Sequence, residues 1–243
     1  MDFNDTKEEA EFRSEVKDWL KNNAPDSLKV AARYDAIDVK EDVLSRAREW
    51  QAKKADAGYA AITWPKEFGG LGGTAIQSVI YSQEESKYNI PAGFFEIGLG
   101  MCIPTMMAWA TQEQNERYVK PALYGEEVWC QLFSEPSAGS DVAGVRTKAE
   151  KDGDNWIING QKVWTSGAHF SDFGIIVVRT DPNVAKHKGL SFFFLDMKSK
   201  GIEVKPIRQI SGGANFNEVF FTDVSVPDSQ RLGEVGEGWK VAL

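Results

Sequence analysis

Histidine and cysteine are scarce in this chain, with two of each among 243 residues, and that scarcity removes several kinds of chemistry at once. Cys102 and Cys130 fit neither a metal-ligand spacing nor a disulfide framework, and they read as buried thiols of a reducing compartment. His169 and His187 form no pair at ligating distance, and no Gly-x-Ser-x-Gly elbow accompanies them. A metal site or a hydrolytic triad is therefore not expected, and each histidine reads as structural or surface. Long apolar runs are also missing. None approaches the roughly 20 residues that cross a bilayer. The opening Met1-Asp2-Phe3-Asn4-Asp5 has neither the basic nor the apolar region of a signal peptide, so a cytoplasmic location is expected. A basic surplus is lacking as well. A net charge of −8 and a pI near 5.0 argue against nucleic acid as a partner, though a local basic pocket could still hold a small anion.

What is present is globular in texture: 42% hydrophobic and 26% charged residues, with 22 Gly and 9 Pro. The length allows one large domain or two ordinary ones. Residues 1–127 read as a helical domain. Thr6-Lys7-Glu8-Glu9 is a capping box, after which Phe12, Val16, Trp19 and Leu20 recur on one helical face. A second helix carries Val43, Ala47, Trp50 and Ala57 and stops at Gly58; a third follows Gly73 and carries Ile76, Val79 and Ile80. Thr111-Gln112-Glu113-Gln114 repeats the capping pattern ahead of a short helix ending near Pro121.

From Val128 the chain turns β-branched and aromatic, and residues 128–232 read as a β domain. Asn159-Gly160 between Trp156-Ile157-Ile158 and Gln161-Lys162-Val163-Trp164 predicts a tight hairpin turn, which would put Val163 and Thr165 on one face and Trp164 and Ser166 on the other. Residues 173–178, 190–195 and 216–221 are predicted strands. Connections this short imply antiparallel pairing. Residues 233–243 open a new helical pattern. The fold class expected is α+β: an all-helical domain, then an antiparallel, barrel-like β domain.

Three motifs invite a chemical reading. Gly70-Leu71-Gly72-Gly73-Thr74-Ala75 satisfies a dinucleotide-loop pattern, but no buried strand precedes it, and a glycine-rich turn between helices suits the context better. Residues 131–141, from Gln131 through Phe133 and Ser134 to Gly139, Ser140 and Asp141, run from an apolar strand into a turn of small residues and hydroxyls. Such a turn could admit a flat ring or a phosphate-bearing tail close to the backbone, or could be an ordinary β-turn. Residues 160–167 place a tryptophan and two hydroxyls at a strand end, able to cover a planar ring, although a strand tryptophan is usually core.

In this order and separation the two segments resemble the acyl-CoA dehydrogenase family. Ser134-Glu135-Pro136-Ser137-Ala138-Gly139-Ser140-Asp141 is similar to its [S/T]-E-P-x-x-G-S-D segment, and Asn159-Gly160-Gln161-Lys162-Val163-Trp164-Thr165-Ser166 to its N-G-x-K-x-W-[I/T]-[S/T] segment. Lys205-Pro206-Ile207, Val224-Ser225-Val226-Pro227 and Gly233–Lys240 also fit. The resemblance implies FAD as cofactor and an acyl-CoA thioester as substrate, with conversion to a trans-2-enoyl-CoA. It implies that Gln131, Phe133, Ser134, Gly139, Ser140, Trp164, Thr165 and Ser166 face the flavin, and that Ser140 also serves the CoA arm. It further implies an electron-transfer flavoprotein as electron acceptor and a homo-oligomer, dimer or tetramer. The family's catalytic glutamate belongs to a C-terminal helical domain that these 243 residues do not reach, so no residue here is assigned as the base. A flavin- or thioester-binding subunit needing a partner chain, and an oxygen-using relative (an oxidase or flavin monooxygenase), are the alternatives.

Overall fold

The computed structural model describes residues 4–24, 41–88 and 90–243. By contact they form two compact units: residues up to Phe94 together with Leu123–Glu126, and Phe95–Ala122 together with Glu127–Leu243.

The first unit is helical, built on α1 (Lys7–Asn23), α2 (Glu41–Asp56) and α3 (Ala75–Glu85). The capping box of α1 forms as the sequence predicts: Glu9 N–H donates to Thr6 Oγ1 at 3.2 Å and Thr6 N–H to Glu9 Oε2 at 2.7 Å. Phe12, Val16 and Leu20 then bury one face of α1 against Trp50, Ile62, Ile80 and Tyr81. Of the apolar residues expected on α3, only Ile80 is buried. Ile76 and Val79 are exposed, and the inward face is Ile80, Tyr81 and Glu84. The acidic residue is tolerated there because Arg13 Nη1 donates to Glu84 Oε1 at 2.9 Å. The Gly70–Gly73 stretch is a turn folded onto the preceding segment, with Gly72 N–H on Trp64 O and Gly73 N–H on Ile62 O, and Thr74 caps α3 directly after it. It is no dinucleotide loop, since no strand leads into it.

The second unit begins with a π-helical turn, Gly98–Cys102, that continues into α4 (Ile103–Trp109), followed by α5 (Gln112–Leu123). Residues 95–122, helical by pattern, belong to the same compact unit as the sheet. The sheet comprises β1 (Trp129–Leu132), β2 (Lys148–Asp152), β3 (Asn155–Ser166), β4 (Phe173–Arg179), β5 (Leu190–Asp196), β6 (Ile202–Ile207), β7 (Phe216–Pro227) and β8 (Arg231–Leu232). The order is β6-β7-β3-β2-β4-β5-β8, with β1 beside β4. Its core is the inward rank of Cys130, Leu132, Ile158, Ile176, Phe193 and Val219. A short helix, α6 (Gly238–Ala242), closes the described chain. No helix among the described residues is long and apolar enough to cross a membrane.

Two expectations need correction. The sheet is mixed, because β1 runs parallel to β4 and β2 meets β4 in parallel at Lys148 and Arg179. Short connections do not forbid parallel pairing when another hairpin makes the crossing, as β2 and β3 do between β1 and β4. The hairpin turn is not at Asn159-Gly160 either. It lies at Gly153-Asp154, between the paired residues Asp152 and Asn155, and β3 runs unbroken through Asn159-Gly160. Gly160 is required there for close approach: a Cβ at that position would stand 2.7 Å from Thr147 Cα.

Candidate functional site

Strand β3 departs from regular pairing with β7 at two places, and each carries one of the two non-glycine residues with positive φ among the described residues. Between Ile158 and Gly160 the extra residue is on β7, where Asp223 has φ 50°. Asn159 closes that bulge, accepting from Asp223 N–H at 2.9 Å and donating to Asp223 Oδ1 at 3.0 Å. Between Lys162 and Thr165 the extra residue is on β3: Val163 and Trp164 face Glu218, and Trp164 has φ 61°. Bulges redirect side chains, and this one turns a large aromatic out of the sheet. Trp164 is 58% exposed while Val163 and Thr165 on either side are buried. The ring of Phe216 meets it edge-on at 6.1 Å. A tryptophan this exposed at a left-handed position, normally avoided by bulky residues, is a common mark of a functional site. Ser166, paired with Phe216, is half-buried beyond it.

The other motif segment leaves the end of β1 beside this strand end. Val163 N–H donates to Ser134 O at 2.9 Å, and Lys162 Nζ donates to Phe133 O at 3.0 Å. Gln131 remains within β1 against Ile175 of β4, half-buried, and Phe133 meets Phe192 edge-on at 5.6 Å. A tight turn follows: Glu135 N–H bonds Ala138 O at 2.8 Å and Ala138 N–H bonds Glu135 O at 3.0 Å, with Pro136 and Ser137 at the corner. Gly139 and Ser140 are exposed just past it, and a Cβ on Gly139 would meet no atom within 4 Å. The fold therefore joins the segment at Phe133, Ser134 and Glu135 to β3 at Lys162 and Val163, one residue before Trp164.

Thr165 sits differently. It is buried, its carbonyl accepts from Asn217 Nδ2 at 2.9 Å, and its hydroxyl oxygen has no hydrogen-bond partner. Asn217 continues to His169, with Oδ1 3.1 Å from the ring Nδ1. Burial holds the His169 imidazole below its usual range, against the opposing effect of that hydrogen bond. The other ring nitrogen, Nε2, is buried without a hydrogen-bond partner. His187 packs edge-on against Trp239 at 4.5 Å. Among the described residues no group of three or more His, Cys, Asp or Glu could hold a metal.

Sequence reasoning missed the ion pair behind the site. Lys162 Nζ is fully buried and donates to Glu135 Oε1 at 2.8 Å. Burial pushes the Lys162 ammonium down to about 8, and Glu135 opposes the shift. Burial alone would raise the Glu135 carboxyl, but the Lys162 charge and the hydrogen bonds at the carboxylate hold it below its usual range. Each residue lies inside one of the two motifs, yet nothing in the spacing says that they touch.

The exposed Trp164 indole, with hydroxyl-bearing Ser134 on the segment hydrogen-bonded beside it, is chemistry that fits a flat ring such as a flavin's. Residues 6–126 match the acyl-CoA dehydrogenase N-terminal domain and residues 130–224 match the middle domain of the same family. The chain is 37% identical to acyl-CoA dehydrogenase IpdE1 of Mycobacterium tuberculosis, over 96% of this chain and 60% of that protein. It is 43% identical to FadE34 of the same organism, over 79% of this chain and 27% of that one. Its fold is similar to that in the ChsE4-ChsE5 complex from Mycobacterium tuberculosis, with TM-score 0.82 and 30% identity over 99% of this chain and 60% of that one. This chain belongs to the acyl-CoA dehydrogenase family, whose members are in general flavin-dependent. It spans about 60% of the length of IpdE1.

Proposed function

We propose that this chain forms the flavin-facing and thioester-facing part of an enzyme that uses FAD to dehydrogenate an acyl-CoA at its α and β carbons, giving a trans-2-enoyl-CoA. The observation that carries the reading is the Val163 N–H to Ser134 O bond, which joins the two motif segments beside an outward-turned Trp164. When bound, FAD supplies the hydride acceptor. The chain's own residues hold and shape it. The indole of Trp164 offers an exposed face for stacking that excludes water. The Ser166 hydroxyl, half-buried at the strand end, would offer a hydrogen-bond donor to the edge of a bound flavin. Ser134 and Ser140 supply hydroxyls from the turn, with Ser140 placed outward, where a CoA arm is accessible. Abstraction of the α-proton needs a carboxylate at the carbon and a polarised carbonyl. No glutamate of this chain is assigned that task, and Glu135 is already committed to Lys162.

An electron-transferring flavoprotein as electron acceptor and assembly into a dimer or tetramer belong to the same reading. One similar relative is the CarC subunit of a caffeyl-CoA reductase-Etf complex. The two free, buried cysteines suit a reducing, cytoplasmic setting. One structural neighbour is a steroid acyl-CoA dehydrogenase, so a bulky polycyclic acyl-CoA belongs in the substrate panel beside linear ones.

The test uses the protein at the length at which it is natively made. It is expected to carry non-covalent FAD. Ser166→Ala should slow flavin reduction by acyl-CoA by about a hundredfold, the scale for losing one well-placed donor, with acyl preference unchanged. Protein that takes up no flavin, or a Ser166→Ala variant with altered acyl preference and normal reduction, would refute the assignment.

A further inference from the structure

The Glu135–Lys162 pair is expensive as core. Two ionised groups taken out of water cost several kcal/mol each, and an apolar pair of similar volume is often at least as stable. Its position shows what it is for. The Glu135 carboxylate uses both oxygens on the far end of its own loop: Arg146 N–H donates to Oε2 at 2.6 Å and Thr147 N–H to Oε1 at 2.9 Å. Residues 136–145 therefore leave and return through one carboxylate. Lys162 joins that closure to β3, donating to Glu135 Oε1 and to Phe133 O. Thr147 Oγ1 adds a bond to Gln161 O at 3.2 Å. Two residues beyond Lys162 stands Trp164, itself part of the bulge.

We infer that Glu135 and Lys162 are positioning residues for the flavin: their buried ion pair clamps the base of the 136–145 loop to strand β3, so that Ser134 and Ser140 keep one geometry relative to Trp164 and Ser166. The inference rests on the proposed flavin reading of the site. Neither residue needs to touch the cofactor. The clamp acts through Phe133 O, Arg146 N–H and Thr147 N–H, backbone groups that a purely apolar filling would leave without partners. A pair that only filled the core would be replaceable without consequence at the flavin. A clamp would not be.

The experiment compares Glu135→Gln, Lys162→Met and the double variant in the native-length protein. Each single variant leaves one buried charge unpaired and is expected to melt earlier. The double variant removes both charges and should recover much of the loss, which keeps the test readable if a single variant fails to fold. Two readouts follow. Amide exchange of residues 136–147 in flavin-free protein should accelerate in the double variant while the β4–β5 core is unchanged. The dissociation constant for FAD should rise about tenfold or more, with a shifted visible flavin band, as expected when a supporting shell is loosened. A folded double variant with wild-type loop exchange, or with wild-type FAD affinity and spectrum, would overturn the clamp. Failure of the wild-type protein to take up flavin would instead sink the reading of the site, and the exchange measurement would still judge the ion pair.

Discussion

Replacing Gly160 by alanine tests the packing beneath the site. The added Cβ would lie 2.6 Å from Thr147 Oγ1, 2.7 Å from Thr147 Cα and 2.8 Å from Thr147 Cβ, so no single rotamer change relieves it. The residue also has φ 150°, and L-residues in that sparsely populated region cost of order 1–3 kcal/mol. Overpacking against backbone adds about 1–3 kcal/mol. The two overlap, since a shift that relieves one eases the other, and a net loss of about 3 kcal/mol is expected. For a chain of this size that corresponds to a fall of about 10 °C in the melting temperature of the sheet unit. Near-UV circular dichroism during thermal and urea unfolding would report it. Gly139→Ala is the matched control: its Cβ meets no atom within 4 Å, and its stability should lie within about 0.5 kcal/mol of wild type. If Gly160→Ala were equally silent, the close approach of β3 to Thr147 would be wrong, and with it the anchoring of the loop end at Thr147.

Asp228 gives a pH prediction. Its carboxylate accepts from Trp156 Nε1 at 2.6 Å and from Arg231 Nε at 3.1 Å, and these hold it well below the usual carboxylate range, Arg231 most strongly. The folded value lies below the unfolded one, so the stabilisation is complete above the ordinary aspartate range and is lost as pH falls below it. Asp228→Asn should cost about 1.5 kcal/mol at pH 7, the lower end for bonds to a charged group because the site is partly exposed, and the gap from wild type should shrink in acid. Equal gaps at pH 7 and pH 3 in urea titrations would contradict the assignment. Cys102 and Cys130 are buried, and burial raises both thiols, Cys130 to about 12. Neither should react with a disulfide reagent at pH 8 in native protein, and both should react in denaturant; rapid labelling of either in the folded state would refute their placement.

Much of the local structure follows from the sequence by itself. The capping boxes at Thr6 and Thr111 formed because a hydroxyl and a carboxyl or amide three residues apart satisfy the first free N–H groups of a helix, whatever packs outside. The strands at 173–179 and 190–196 formed where apolar runs, β-branched in the first and aromatic in the second, could be buried on both faces. The two motifs that carry the family resemblance are contiguous segments, and so were readable in order. What tertiary structure decided was which of several locally allowed states each residue takes. Asn159-Gly160 can make a tight turn, but β7 supplies a partner along the whole of β3, and the glycine is used for approach to Thr147 instead. Ile76 and Val79 could have been core, but the stripe of α3 that meets α1 is set by the neighbours on offer and runs through Ile80, Tyr81 and a glutamate paired with Arg13. Trp164 faces out because a bulge against β7 inserts one residue, a feature of register between strands more than fifty positions apart. Glu135 and Lys162 are charged residues that hydropathy assigns to the surface; only the fold, by bringing backbone groups from distant segments to one buried point, makes their burial as a pair the way to satisfy them.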